Sequence, residues 1–189
     1  EKLSCITLMA GVATASVIQQ QTSAPVRLKW PNDILINGKK LAGILCECIP
    51  QSGNRPAIII GIGINLNHSH FPENIQNTAT SLKLESGKTV SRTDLALSLI
   101  QNLDAEYEEF LQGKTASLIH KWTESSDMLG KTVTVYQKGK SLTGTAIGLN
   151  LHGRLILQTP DGGQHLLDSG EVSFNPREHD PQTDLPSIA

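Results

Sequence analysis

The sequence predicts an α+β protein in which a mixed, mainly antiparallel sheet packs against helices and a small all-β unit follows. Two observations carry this prediction. Apolar residues first recur at helical spacing and then fall into four strand-like segments between residues 26 and 64. Beyond about residue 131 the chain alternates every few residues between short apolar runs and glycine turns. The predicted units are a first domain over 1–127, a second over 128–174 and a disordered tail over 175–189.

The composition is that of a soluble globular protein. The 189 residues are 38% hydrophobic and 18% charged, and they suffice for one ordinary domain with a small appendage. A net charge of -2 and a pI near 6.3 provide no electrostatic footprint for nucleic acid or an anionic membrane. No apolar run approaches the ~18 to 20 residues that a membrane-spanning helix requires. We therefore expect neither a nucleic acid nor a membrane as a partner.

The three cysteines, Cys5, Cys46 and Cys48, are too few for a disulfide framework and fit a reducing cytoplasm. Cys46 and Cys48 fall on the same side of a predicted strand, but no further ligands at zinc spacing accompany them. Their position in the middle of a strand, where we expect poor exposure, also argues against a reactive nucleophile. Packing is the role we expect for them.

The first helix is predicted over residues 4–21, because apolar residues recur there at helical spacing. The apolar set that recurs begins one residue earlier and consists of Leu3, Ile6, Met9, Ala10, Ala13 and Val17. The chain begins with Glu1 rather than Met, directly inside this pattern. We therefore expect the chain to be partial.

A strand-turn-strand unit follows the first helix. Residues 26–30 read as a short strand that Pro31 ends, since proline lacks the amide hydrogen of a ladder. Residues 33–36 and 39–49 read as the two arms of a hairpin. Asn37-Gly38 joins them as a two-residue turn, because both residue types tolerate positive φ.

Residues 57–64 are apolar on both faces, which predicts a central strand. The next stretch, 68–77, is polar and irregular. Ser91 then caps a long helix. The apolar stripe of that helix is Leu95, Leu99, Leu103, Tyr107, Phe110 and Leu111. A second helix is predicted over 116–125, and the glycine-punctuated region after it predicts five short strands, enough for a small SH3-like barrel.

The first candidate site is the run Lys29-Trp30-Pro31-Asn32-Asp33 at the end of a strand. Loops at strand ends host ligands because rigid elements aim their side chains. An ammonium group there can hold a carboxylate beside a phosphate and stabilise charge during acyl-phosphate exchange. By chemistry alone, Lys29 is equally compatible with a solvated surface charge. Trp30 is expected to be a core or interface aromatic rather than a base-stacking residue. Asp33 could orient Lys29, assist a metal or cap the turn.

The second candidate is the run from Gly61 to Asn67, Gly-Ile-Gly-Ile-Asn-Leu-Asn. It is not a dinucleotide fingerprint, since no third glycine and no helix start follow. Glycines within a strand mark close approach of a ligand or another backbone. The amides of Asn65 and Asn67 suit a phosphate oxygen or a metal-bound water, or else turn chemistry. His68 and His70 share a side of the next segment, but without carboxylate partners they are expected to be solvated.

Together these residues resemble the biotin–protein ligase family. The resemblance lies in residues 26–34, Val-Arg-Leu-Lys-Trp-Pro-Asn-Asp-Ile, and in residues 38–47, Gly-Lys-Lys-Leu-Ala-Gly-Ile-Leu-Cys-Glu. The strand over 60–67 is similar to the next block of that family, in the same order. The resemblance spans residues 1 to about 174. It implies a class II synthetase-like ligase core followed by an SH3-like barrel.

The resemblance implies that biotin and MgATP give biotinyl-5′-AMP and pyrophosphate. The acyl group then passes to a lysine of a biotin carrier domain, typically on acetyl-CoA carboxylase. Lys29 takes the catalytic role beside the biotin carboxylate and the adenylate phosphate. Biotin and its adenylate are expected to contact Lys29, Leu41, Ala42, Gly43, Ile44, Gly61, Gly63 and Asn65. Asn65 would also lie near the ATP phosphates and Mg²⁺, and no other metal ligand is assigned.

The resemblance also implies supporting roles for Trp30, Asn32 and Asp33 around Lys29, and a homodimer edge at the 38–43 hairpin. One departure matters. The glycine- and arginine-rich loop that closes over the adenylate, and the residues that hold the ureido ring, are not in this sequence. Nor is an amino-terminal helix-turn-helix, so repression is not expected. We expect this chain by itself to be weakly active or inactive.

Two alternatives stay open. A lipoate–protein ligase or octanoyltransferase shares the fold and a central lysine. A non-catalytic biotin-binding or carrier-docking module would hold the ligand without activating it.

Overall fold

The computed structural model describes residues 3–50, 57–137 and 139–174. The predicted tail over 175–189 lies outside these residues. Within them, no helix has the length and apolar character to cross a bilayer. The helices are α1 (Leu3–Gln19), α2 (Leu82–Ser86), α3 (Arg92–Leu111) and α4 (Thr115–Glu124). The strands are β1 (Val26–Lys29), β2 (Asp33–Ile36), β3 (Lys39–Ile49), β4 (Ala57–Ile64), β5 (Thr132–Gln137), β6 (Lys140–Leu149), β7 (Leu155–Gln158), β8 (Gln164–Leu167) and β9 (Glu171–Ser173).

The first sheet is antiparallel throughout, with the order β1-β2-β3-β4. The β2–β3 turn is the predicted one: Asn37 and Gly38 have φ values of 51° and 76°. The mainly antiparallel α+β architecture is therefore confirmed. Among the described strands, however, β4 lies at an edge of the sheet, so the prediction of a central strand for 57–64 is not met there. Ile58, Ile60, Ile62 and Ile64 pack on one face, whereas Ile59, Gly61 and Gly63 are exposed on the other.

A bulge interrupts the β2–β3 ladder. Ile34 pairs with Ala42 and Leu35 with Lys40, so Leu41 is the extra residue. Because of the bulge, Leu41 and Ala42 are both buried although they are neighbours in the strand. It also sets the side-chain direction of Lys40 relative to Gly43, a relation on which the candidate site depends.

The sheet has two unlike faces. The inner face carries apolar side chains that belong to the core with helix α1. Its members are Val26, Leu28, Ile34, Ile36, Ala42, Ile44, Ile62 and Ile64. The position of Gly11 shows how closely α1 lies on it: a Cβ there would be 3.6 Å from both Leu28 and Ile44. The outer face carries Lys29, Asp33, Gly43, Leu45, Gly61 and Gly63, which the strand alternation places opposite the core.

Helix α1 is the centre of the fold, since it packs against the sheet on one side and against α3 and α4 on the other. Ser91 caps α3 as predicted, accepting a hydrogen bond from the Asp94 amide. The predicted stripe of α3 is only partly covered, because Leu95 is buried while Tyr107 and Leu111 are 45% and 60% exposed. The short helix α2 was not predicted. It has a serine cap, Ser81, and ends at Gly87 with a φ of 71°.

The carboxyl-terminal unit contains the five predicted strands in one antiparallel sheet, ordered β8-β7-β6-β5-β9. Among the described residues, β8 and β9 are the two edges and do not pair with each other. A closed barrel is therefore not found, and the SH3-like closure stays a prediction. The sheet joins the rest of the fold through the β6–β7 turn, where a Cβ at Gly153 would press on Leu8 and on the backbone of Ser4 and Cys5.

Candidate functional site

Four predicted site residues form one row across the outer face. Lys29 pairs with Asp33, Asp33 with Gly43, and Gly43 with Gly63. The row joins the candidate runs 29–33 and 61–67, which lie some thirty positions apart in the chain. The row therefore has a cation and a carboxylate at one end and two glycines at the other.

The charged end of the row holds a second lysine that the sequence did not single out. Asp33 Oδ2 lies 3.6 Å from Lys29 Nζ, and Asp33 Oδ1 lies 2.6 Å from Lys40 Nζ. Oδ1 is buried and accepts no hydrogen bond of good angular geometry, so the short contact with Lys40 is chiefly ionic. The Lys29 and Asp33 side chains are 19% and 15% exposed, and that of Lys40 is 51% exposed.

Gly61 and Gly63, which we call the glycine floor, are open to solvent. A Cβ at Gly63 would find its nearest neighbour only at 4.0 Å, and one at Gly61 would meet the Leu45 carbonyl at 3.5 Å. Protein packing therefore does not require glycine at either position. Side chains there would fill the space above the sheet, which is the space a flat or extended ligand needs.

The residues around Lys29 have structural partners of their own. The Asn32 side chain donates to the Ile44 carbonyl at 2.8 Å, and the Ile44 amide donates to the Asn32 carbonyl at 3.0 Å. Trp30 is 1% exposed, and its indole N–H donates to the Gly153 carbonyl at 3.1 Å. Asn32 thus ties the β1–β2 turn to β3, whereas Trp30 ties it to the carboxyl-terminal sheet.

The predicted ligand-contacting residues of β3 divide between the two faces. Leu41, Ala42 and Ile44 are 0%, 3% and 2% exposed and pack in the core. Gly43 lies on the outer face, opposite Asp33. Contact of the first three with a ligand stays a prediction, and it would have to come from their backbone.

Asn65 continues the β3–β4 pairing, since its amide donates to the Leu41 carbonyl at 2.9 Å. Its side-chain amide has no partner among the described residues. Asn67 differs: its side chain donates to the Val90 carbonyl at 2.9 Å and accepts from the Val90 amide at 3.0 Å. Loop chemistry accounts for Asn67, while Asn65 remains available to a ligand.

An open cleft of ≈ 310 Å³ lies over the charged end of the row. One wall is formed by residues 29–33 with Lys40, and the other by residues 170–172 of the carboxyl-terminal sheet. Gly170 lets this segment lie close against β5 of its own sheet, because it has a φ of 140° and a Cβ there would lie 2.7 Å from Val135. Nothing in the sequence pattern could have placed 170–172 here, since that placement depends on how the two sheets dock.

No group of three His, Cys, Asp or Glu side chains able to hold a metal ion occurs among the described residues. His68 and His70 are exposed on the loop after β4. Mg²⁺ is commonly held by one or two protein oxygens together with substrate phosphates. The Asn65 amide oxygen fits such a site, whereas both Asp33 oxygens face lysines.

The cysteines are free thiols, and burial raises the pKa of the Cys5 and Cys46 thiols. Both pack in or against the core, as predicted. Cys48 is exposed instead, so the expectation of poor exposure is wrong for it.

Two family models match the chain. The biotin/lipoate A/B protein ligase family matches residues 1–65, and the biotin protein ligase C terminal domain matches residues 128–175.

The chain is also similar in sequence to curated proteins of known name. The bifunctional ligase/repressor BirA of Escherichia coli is 31% identical over 173 residues, which cover 92% of this chain and 54% of that protein. The biotin–[acetyl-CoA-carboxylase] ligase of Mycobacterium tuberculosis is 29% identical over 171 residues, covering 88% and 61%. The chain thus spans about half the length of the bifunctional ligase/repressors that it matches.

Solved structures show the same likeness. A crystal structure of biotin protein ligase from Aquifex aeolicus superposes with a TM-score of 0.81 at 30% identity, covering 92% of this chain and 75% of that one. The same enzyme in complex with biotin and ATP superposes with a TM-score of 0.79 at 29% identity, covering 92% and 72%.

Proposed function

This chain belongs to the biotin protein ligase family, and from that premise we propose that it activates biotin with ATP and transfers it to a carrier protein. Biotin's carboxylate attacks the α-phosphorus of ATP, giving biotinyl-5′-AMP and releasing pyrophosphate. The amine of a carrier lysine then attacks the acyl carbon, forming an amide and releasing AMP. No covalent bond to the enzyme is needed, so the side chains act by binding and by electrostatics.

The row Lys29–Asp33–Gly43–Gly63 is the observation that carries the proposal. An acyl adenylate needs an apolar trough for its tail and a cation at its anionic centre. The exposed glycines 61 and 63 supply an open floor, and Lys29 lies at the end of that floor beside the cleft. The backbone around Leu41, Ala42 and Ile44 would form the side of the trough.

Lys29 would act at the point where charge develops. Its ammonium lies at the cleft over the outer face, where it would bridge the biotin carboxylate and the α-phosphate. It would bring the two anions together and stabilise the pentacoordinate phosphorus. Asn32 and Trp30 would hold the turn that carries Lys29, through Ile44 and Gly153 respectively. Asn65 would meet the phosphates, and Mg²⁺ bound there would neutralise the leaving pyrophosphate.

The acceptor we propose is a biotin carrier domain of acetyl-CoA carboxylase, as the name of the Mycobacterium relative suggests. Free thiols and the use of ATP fit a cytoplasmic reaction. A homodimer through the 38–43 hairpin and closure of the carboxyl-terminal sheet into an SH3-like barrel stay predictions.

The 189 residues alone would supply only part of the site, because the glycine- and arginine-rich loop implied by the family is not among them. Calorimetric titration of this chain with biotin and ATP tests this point. We expect affinities weaker than micromolar and no accumulation of adenylate. Micromolar or tighter binding with adenylate formation would contradict the proposed impairment. Parallel assays with lipoate and octanoate would separate a biotin ligase from its acyl-ligase relatives.

A further inference from the structure

Asp33 lies between two lysines and is unequally shared by them. Lys40 Nζ is 2.6 Å from one carboxylate oxygen, while Lys29 Nζ is 3.6 Å from the other. The first distance is that of a close ion pair, and the second is too long for a good hydrogen bond. The carboxylate is thus held mainly by Lys40, although Lys29 is its neighbour across the ladder.

The local fold provides the path by which Lys40 reaches Asp33. Asp33 pairs with Gly43, three residues along β3 from Lys40, and the bulge at Leu41 separates the two positions. The Lys40 side chain passes over Gly43, where a Cβ would lie 3.3 Å from Lys40 Cε and 3.5 Å from its Nζ. Gly43 therefore leaves room for this lysine, a requirement distinct from the open floor at Gly61 and Gly63.

The backbone of Lys40 is fixed independently of its side chain. Its amide donates to the Thr78 carbonyl at 2.7 Å, and its carbonyl accepts from the Thr80 amide at 2.9 Å. These two bonds form a parallel bridge to the segment after β4. Because they involve only main-chain atoms, a substitution of the Lys40 side chain leaves them in place.

We propose that Lys40 is a positioning residue that occupies Asp33 and so keeps the Lys29 ammonium available to an anionic ligand. The cleft is lined by Lys29, Lys40 and Asp33 and, on its opposite wall, by Glu171. With Lys40 on Asp33, the Lys29 ammonium is not drawn to that carboxylate. Without Lys40, Asp33 would draw in Lys29, and the two would form a neutral pair. The proposal rests on the proposed function only for the identity of the ligand.

The test measures the availability of Lys29 directly, so it does not require ligase activity. The whole chain is treated with a limiting acetylating reagent, and acetylation of Lys29 is followed by peptide mass spectrometry. In Lys40→Met we expect Lys29 to react about two- to fivefold more slowly, the range that a partly exposed lysine–carboxylate pair supports. Adding Asp33→Asn to Lys40→Met should return the rate to near the wild-type value, and Lys40→Arg should retain it.

Lys39→Met is the matched control. Its side chain contacts the Gln76 carbonyl at 3.4 Å and does not line the cleft. Lys29 should react at the wild-type rate in this variant, and exposed Lys88 should react equally in all of them. A Lys29 rate in Lys40→Met that equals or exceeds the wild-type rate would overturn the proposal. So would a double variant that stays as slow as Lys40→Met.

Titration of the same variants with biotinyl-5′-AMP separates this proposal from the proposed function. If Lys29 reactivity follows the expected pattern but wild type binds no adenylate, Lys40 positions Lys29 and the ligand assignment fails. If Lys40→Met weakens adenylate binding and Asp33→Asn does not restore it, Lys40 contacts the ligand itself and the positioning role is wrong.

Discussion

The inner and outer faces of the four-stranded sheet are formed by the same strands, but they carry different kinds of side chain. On the inner face, Ile34 and Ala42 pair across neighbouring strands, and both are buried with α1. On the outer face, the next pair along the ladder is Asp33 with Gly43. A step of one residue along each strand therefore replaces a buried apolar pair with a carboxylate opposite a glycine.

This difference distinguishes stability from function within a single element. Each inner-face residue has a packing reason for its size and apolarity. The outer face has Gly61 and Gly63 at positions where a Cβ would meet little, and Leu45 and Ile59 are 63% and 50% exposed beside them. Stability alone would favour β-branched residues there. Residues that lower local strand stability without relieving a clash are best explained by a ligand.

The largest expected effect is on stability and belongs to the inner face. Ile34→Ala removes a side chain that is 0% exposed, and it should lower the free energy of unfolding by about 2–5 kcal/mol. Leu45→Ala, on the outer face of the next strand, should change it by no more than about 0.5 kcal/mol. Urea unfolding followed by circular dichroism measures both. Equal losses would remove the distinction between the two faces.

A smaller effect is expected on binding and belongs to the outer face. Gly63→Val places a side chain in the open trough, so it should leave the unfolding free energy nearly unchanged and weaken biotinyl-5′-AMP binding about tenfold.

Gly144→Ala in β6 is the contrasting control, because a Cβ there would lie 2.5 Å from the Gln158 carbonyl oxygen. It should destabilise the carboxyl-terminal sheet by about 1–3 kcal/mol. If Gly63→Val destabilised the chain as much and left binding unchanged, the glycine floor would be a packing feature.

The strands and helices were largely predictable because local signals determine them. Asn37-Gly38 fixed the hairpin, Ser91 fixed the start of α3, and apolar periodicity fixed α1. The edge position of β4 was not predictable, since apolar residues on one face and glycines on the other still read as a continuous apolar run. Helix α2 was missed because five residues are too few to show a helical periodicity of apolar side chains.

The site was predictable only in part. Lys29, Asp33, Gly43 and Gly63 were all singled out, and strand alternation is enough to place each on a face. Their alignment in one row depends on register, and the bulge at Leu41 shifts that register by a residue. The role of Lys40 and the approach of residues 170–172 follow from long-range geometry. No pattern within a window of the sequence carries that information.

The central claim is that the outer face binds an acyl adenylate with Lys29 at its phosphate. Calorimetric titration of biotinyl-5′-AMP into wild type, Lys29→Ala and the control Lys39→Ala tests it most directly. Wild type and Lys39→Ala should show the same saturable binding. Lys29→Ala should bind about 10- to 100-fold more weakly, the loss expected for one hydrogen bond to a charged group. Unchanged affinity in Lys29→Ala, or no saturable binding by wild type, would contradict the account.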